Sequence, residues 1–117
     1  MPPDEISSAY LHDMLKAARL AFEFVRLRTA GDLLTDPMLM AALEREVQIV
    51  GEAARKIEES FKEAHADVPW RKIIATRHIL VHDYDDVDHE VLWRIATVHL
   101  VELIPQLEKM LGESKSP

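Results

Sequence analysis

The feature that most constrains the fold is an apolar stripe through the middle of the chain. Its residues recur at alternating spacings of three and four, namely Met40, Leu43, Val47, Val50, Ala54, Ile57 and Phe61. Such a heptad pattern is typical of a helix that packs lengthwise against other helices. Asp36 and Pro37 precede the stripe and supply a capping carboxylate and a proline at the first helical position. We therefore expect one long helix whose stripe lines a bundle core or a face shared with a second subunit.

Three other segments show helical apolar spacing. The first begins near Ile6 or Ser7 and is expected to stop at Gly31. The third in chain order follows Pro69 and has the sequence WRKIIATRHILV. The fourth follows Asp88, a good capping residue, and its stripe extends through VLWRIATVHLVELIPQLEKML. Together, the four segments predict helices separated by short connections.

The chain is expected to form a single all-α domain. Pro105 lies within the fourth segment, so that helix should kink or be interrupted there. With three glycines among 117 residues a turn-rich β architecture is disfavoured, while 48% apolar residues suffice for a core. We expect an antiparallel bundle of four main helices, with room for a short extra helix, over residues 1–117. Residues 112–117 are polar and should form a frayed tail.

Composition also narrows the classes of function. The chain has no cysteine, which excludes disulfides and thiolate metal sites. No apolar run approaches the ~20 residues of a membrane helix, and the polar N-terminus does not resemble a signal peptide. These features predict a soluble cytoplasmic protein without a membrane partner. The net charge of −7 opposes broad binding to nucleic acid, so an RNA-binding role would need a local basic surface or a basic partner.

Residues capable of chemistry are concentrated in RHILVHDY, residues 77–84. His78 and His82 are four residues apart, so both would lie on one face of a helix and could bind zinc. The zincin motif, however, requires a glutamate directly after the first histidine, and Ile79 occupies that position. The acidic run that follows lacks the central glycine of a calcium loop and has Val87 where a ligand should lie. We therefore expect no metal and no other cofactor.

Arg77 and His82 together have the chemistry that RNA cleavage without a metal needs. An imidazole can take a proton from a ribose 2′-hydroxyl and return one to a leaving oxygen, while a guanidinium can bind the phosphate. Five residues turn a helix by about 140°, so the two would diverge in an unbroken helix. They would converge if the helix unwinds at His82, or they could meet the same pair of a second subunit across a two-fold axis. Alternatively, both residues cap carbonyls or pair with carboxylates at a helix end.

The spacing Arg77-x4-His82-x-Tyr84 resembles the signature of the HepT-like toxins of the HEPN superfamily, which pair with a minimal nucleotidyltransferase (MNT) antitoxin. The segment QIVGEAARKI, with Gly51-Glu52-Ala53, resembles the second-helix motif of that family. VPWRKIIATRHILVHDY is similar to its third-helix core, and VDHEVLW to the start of its last helix. Together these segments cover most of residues 43–111 in the same order.

The resemblance implies a dimeric all-α bundle that cleaves RNA, either tRNA or mRNA, without metal and leaves a cyclic phosphate end. By the same resemblance, Arg77 binds the phosphate and His82 is the acid–base residue. His78 replaces a residue that is usually asparagine in these toxins and would be auxiliary. Tyr84 matches the tyrosine that the antitoxin adenylylates, and a bulky anion added there would repel RNA.

The chain departs from the family pattern directly after Tyr84. Asp85 and Asp86 replace an aromatic or small pair, and the region then holds five carboxylates within eight residues. This run is either a solvated capping loop, or a surface that weakens RNA binding or contacts a basic antitoxin. The competing hypothesis is therefore a non-catalytic helical subunit that only positions a nucleotidyltransferase. Elsewhere, we expect Trp70 and Trp93 to pack at helix starts and His99 to lie in the core or an interface.

Overall fold

The computed structural model describes residues 4–82 and 88–112, and for residues 77–82 it describes the backbone alone. Seven α-helices follow one another within these ranges, and a π-helical turn over Ile95–His99 joins the last two. The helices are α1 (Glu5–Val25), α2 (Asp32–Thr35), α3 (Pro37–Lys56), α4 (Glu59–Ala64), α5 (Trp70–His82), α6 (His89–Arg94) and α7 (Leu100–Met110). The described residues contain no strand, so the predicted all-α class is confirmed.

Aspartates cap three of the helices. The carboxylates of Asp4, Asp36 and Asp88 each accept a hydrogen bond from a backbone N–H of the first turn, at 2.7, 3.1 and 2.8 Å. Pro37 occupies the first turn of α3, so the predicted start of that helix is confirmed. The predicted stop of the first helix at Gly31 is wrong, because α1 already ends at Val25 and the following turn leads into the short α2.

The apolar stripe lies in the interior of the chain but not on a single helix. Its central residues Leu43, Val47 and Val50 are at most 2% exposed, so the core alternative is confirmed and they are not free to contact a second subunit. The expected continuous helix is wrong at its end. Ile57 has an extended backbone with ψ of 141°, and α4 begins after it. The side chain of Ile57 remains only 3% exposed, so burial of the stripe continues across the break.

The long helices form a bundle with α1 and α3 at its centre. α1 packs against α3, α5 packs on α3, and α7 with the π-turn packs on α1. Residues of all these helices join one apolar core, which includes Leu11, Met14, Leu15, Leu43, Leu92 and Leu107. An ion pair of 2.8 Å between Arg19 and Glu108 also links α1 to α7. The outer helix α5 therefore packs on the central helix α3, and the outer helix α7 packs on the other central helix, α1.

The fourth predicted segment is continuous through its proline. α7 includes Pro105 and extends to Met110, so the expected interruption does not occur there. Pro105 lacks an N–H group, but Leu103 and Leu107 on either side are buried, and their packing offsets the missing hydrogen bond. The departure from α-geometry comes earlier, where the N–H of Leu100 donates to the carbonyl of Ile95, five residues back. Within the described part of the chain, no helix has the length and apolar character of a membrane span.

Candidate active site

The helix α5 carries the candidate catalytic residues. Its backbone is helical from Trp70 through His82, so positions 77 and 82 lie on one continuous helix, about 140° apart around its axis. This finding disfavours the alternative in which the helix unwinds at His82. The side chains of Arg77, His78 and His82 lie outside the described residues, as does Tyr84 together with the acidic residues 83–87. What the structure does define is the surface around them.

The N-terminal end of α5 is held firmly in place. Trp70 is 7% exposed, and its indole Nε1 donates a hydrogen bond of 3.0 Å to the carbonyl of His65. Ile73 and Ile74 are half-buried against the core on the next turn. The predicted structural role of Trp70 is therefore confirmed, and Trp93 likewise packs half-buried against the core. Because its first two turns are anchored, α5 presents its C-terminal half in a defined position.

α5 has a positive net charge, whereas the chain as a whole has a negative one. Between Trp70 and His82 there are three cationic residues, Arg71, Lys72 and Arg77, and no carboxylate, whereas the whole chain carries −7. Arg71 and Lys72 are exposed. The helix thus provides the local basic surface that RNA binding requires. In the sequence, Arg71 and Lys72 interrupt an apolar pattern, and the absence of carboxylates from the same segment is the signal that indicates a basic helix.

A groove of about 580 Å³ separates α5 from α6, the π-turn and α7. Its walls include Lys72, Ile73, Thr76, Val91, Ile95 and His99, above a floor of Val47 and Val50 from α3. The side chain of Gln106 closes one end by donating a hydrogen bond of 3.3 Å to the carbonyl of Asp67. Among the described side chains of α5, the groove extends as far as Thr76, the residue before Arg77 in sequence.

An exposed apolar residue lies in the α6 wall of this groove. Val91 lines the groove and is 43% exposed, while Val98 and Val101, which are not among the lining residues, are 43% and 36% exposed. His99 is exposed at the end of the π-turn and lines the groove, so the part of the prediction that placed it in the core is wrong. Turns of this π-type occur frequently at functional sites. The groove, with the exposed Val91 in its wall, is therefore a candidate interaction surface.

No metal centre emerges from the described part of the chain, where histidine and carboxylate side chains form no group of three that could hold an ion. The zinc alternative at His78 and His82 falls on side chains outside that part. Among the described side chains, several groups have shifted pKa values. Burial raises the pKa of Glu44 on α3. Hydrogen bonds and charge interactions raise the pKa of Arg28 and lower those of Asp32 and Asp36 in the turn between α1 and α3.

Comparison with known proteins gives the family. A family model described as ribonuclease HepT-like matches residues 14–110, which include α3, α5 and the whole groove. The chain belongs to the HepT-like ribonuclease family. The resemblance read from Arg77-x4-His82-x-Tyr84 is thereby confirmed at the level of the family, and this HepT-like chain is an enzyme of the ribonuclease class.

Individual relatives of this HepT-like chain agree with that assignment. It is 36% identical over 101 residues to a probable ribonuclease HepT of Thermococcus cleftensis, with 86% of this chain and 92% of the relative covered. It is 31% identical over 106 residues to a protein of Caldanaerobacter subterraneus subsp. tengcongensis named as a candidate RNase, covering 91% and 95%. A Methanocaldococcus jannaschii protein, also named as a candidate RNase, is 33% identical over 101 residues, covering 86% and 89%. No solved structure matches the chain.

Proposed function

We propose that this HepT-like chain is the toxin of a two-gene HEPN–MNT pair and a metal-independent endoribonuclease that acts on cytoplasmic tRNA or mRNA. One observation carries the proposal: the Arg77-x4-His82 signature lies on α5, a helix with cations and no carboxylates in a chain of net charge −7. RNA can approach such a helix even though the protein as a whole repels it.

In the proposed reaction, His82 takes the proton of a ribose 2′-hydroxyl and the freed oxygen attacks the adjacent phosphorus. A bond forms between the 2′-oxygen and phosphorus, and the bond from phosphorus to the 5′-oxygen breaks. The imidazolium then returns a proton to the leaving 5′-oxygen, so one product ends in a 2′,3′-cyclic phosphate. Arg77 binds the non-bridging oxygens as charge develops on them, and His78 is an auxiliary hydrogen-bonding residue.

The proposed active form is a homodimer. Positions 77 and 82 are about 140° apart on one helix, so a composite cleft needs the same pair from a second chain. Because the heptad stripe is buried in the core, the face around the groove is the better surface for that contact. It combines the exposed Val91 with charges of both signs, which come from Lys72, Asp67 and Glu102.

We further propose that the antitoxin inhibits the ribonuclease activity of the toxin. In this proposal the MNT-type nucleotidyltransferase transfers an adenylyl group to Tyr84, two residues beyond His82. The phosphodiester anion adds to a segment that already contains five carboxylates between Asp83 and Glu90, so it would repel an RNA backbone strongly at low salt.

The alternative is a non-catalytic helical subunit that holds a partner nucleotidyltransferase. The acidic residues Asp85 and Asp86 favour it, because they lie next to the signature and would oppose RNA binding. Under this alternative, the purified chain would bind the nucleotidyltransferase but would not cleave any RNA.

The deciding experiment is to incubate the purified protein with total tRNA in the presence of a chelator. Wild type should cleave, while His82→Ala and Arg77→Ala should each lose at least about 100-fold in rate. General acid–base catalysis by His82 and electrostatic stabilisation of the developing charge by Arg77 each contribute about that much. His12→Ala is the matched control, since His12 is an exposed histidine on α1, and it should cleave like wild type. Cleavage by His82→Ala at the wild-type rate, or cleavage that the chelator abolishes, would contradict the proposal.

A further inference from the structure

The first turn of α5 has charges that oppose helix formation. Backbone N–H groups make the N-terminus of a helix partially positive, so carboxylates are favourable there and cations are not. A carboxylate occupies the first turn of α1, α2, α4, α6 and α7. The first turn of α5 instead has Arg71 and Lys72 and no carboxylate. Two cations at this position cost helix stability, which suggests that they serve an anion outside the chain.

Arg71 is also free of intramolecular ion pairs within the described part of the chain. Its side chain is exposed, and none of the described carboxylates lies within ion-pair distance of it. Two other exposed arginines do have such a pair: Arg26 pairs with Glu23 at 3.0 Å, and Arg55 pairs with Glu52 at 3.1 Å. The Arg71 guanidinium therefore keeps all its hydrogen-bond donors available for a ligand.

The position of Arg71 on α5 connects it to the proposed site. Positions 71, 75, 78 and 82 follow at spacings of four, three and four, so they form one line along the helix. Ala75, between Arg71 and the histidines, is exposed and short, so it leaves the line open to a ligand. Eleven residues of helix separate positions 71 and 82 by about 16 Å, which is further than a single phosphate group reaches.

We propose that Arg71 is an RNA-binding residue that contacts a backbone phosphate away from the scissile one and so positions the strand along α5. The inference rests on the proposed ribonuclease function and adds a specific contact to it. An arginine that binds phosphate contributes affinity without reading sequence, so its effect should be the same for different RNAs and should depend on salt.

The test uses a single-stranded RNA whose 2′-hydroxyls are methylated, because such an RNA cannot undergo 2′-hydroxyl attack and stays intact during the measurement. Fluorescence anisotropy gives its Kd across a series of salt concentrations for wild type and Arg71→Ala. Loss of one phosphate contact should lower the slope of log K against log salt by about 0.7, which is about fivefold in Kd near 0.1 M salt. Arg71→Lys should restore most of the slope.

Arg71→Glu separates an RNA contact from a structural role. This variant places a carboxylate in the first turn, so its Tm should stay equal or rise, while its RNA affinity should fall further than that of Arg71→Ala. Arg45→Glu is the matched control. Arg45 is an exposed arginine in a different cleft, between α1 and α3, and its reversal changes the net charge equally.

The outcomes distinguish this inference from the proposed function. If wild type neither binds nor cleaves RNA, the proposed function fails and the inference fails with it. If wild type binds and cleaves but Arg71→Ala keeps the wild-type slope, the function stands and the role of Arg71 is refuted. If Arg45→Glu weakens binding as much as Arg71→Glu does, the effect is one of net charge, which also refutes it.

Discussion

Asp36 shows how a single residue fixes the start of the helix that lines the core. Its carboxylate accepts a hydrogen bond of 2.7 Å from Arg28 and one of 3.1 Å from the backbone N–H of Leu39. Both interactions are stronger with the ionised carboxylate, and the bond from Arg28 is the larger cause of the lowered pKa of Asp36. A carboxyl group whose pKa is lower in the folded than in the unfolded chain stabilises the fold only while it is charged.

The prediction at this scale concerns pH. Asp36→Asn keeps the helix cap but removes the charge, so its Tm should lie below that of wild type at neutral pH. The difference should begin to shrink near the ordinary aspartate pKa of 3.8 and should vanish as pH falls through the lowered folded value. Circular-dichroism melts of both proteins over an acid pH series measure this. A Tm difference that grows on acidification would contradict the assignment.

At the scale of elements, the helix from α6 to α7 combines two irregularities and remains continuous. The π-turn over Ile95–His99 brings His99 to the groove, and Pro105 lies six residues after His99, inside α7. Proline is roughly 3 kcal/mol less favourable than alanine within a helix. Since Pro105 itself is exposed, no core contact would be lost if it were replaced.

Pro105→Ala should therefore raise the free energy of unfolding by about 2 kcal/mol, somewhat less than the full propensity difference because proline also restricts the unfolded chain. Urea denaturation of the two proteins measures this change. Lys109→Ala in the same helix is the control and should change stability by no more than about 0.5 kcal/mol. A clear loss of stability in Pro105→Ala would mean that the proline is required for the path of α7.

At the scale of the whole molecule, helix packing leaves one groove open as a candidate surface for contact with a second chain. α5 packs on α3 and α7 packs on α1, so a groove lined by residues of both outer helices stays open. Val91 lies in its wall and is 43% exposed. Burying this face in a homodimer would remove apolar surface from water, and the proposed composite cleft needs a second chain.

Light scattering of wild type should accordingly give twice the chain mass. Val91→Asp would bury an unpaired charge in the interface and should raise the dimer dissociation constant by at least about tenfold, with a parallel loss of RNA cleavage. Leu20→Asp is the matched control, because Leu20 is 37% exposed on α1, outside the groove. A wild-type monomer with intact helices would contradict the composite site.

The sequence alone determined those features that depend on neighbouring residues. Asp36-Pro37 and Asp88 predicted helix starts because a cap is satisfied within one turn, and the heptad stripe predicted burial because its spacing matches the helix. The family followed from Arg77-x4-His82-x-Tyr84 and the motifs around it. These patterns can be read without knowing the path of the rest of the chain.

Only the tertiary structure decided how the helices end and what they leave uncovered. The stripe gave no sign of the break at Ile57, because the burial of Ile57 is the same whether it continues a helix or turns a corner. Likewise, the presence of Pro105 does not predict that the burial of Leu103 and Leu107 keeps α7 continuous. The groove beside α5 and the exposure of His99 depend on which central helix each outer helix packs against. Contacts between residues far apart in sequence determine that packing.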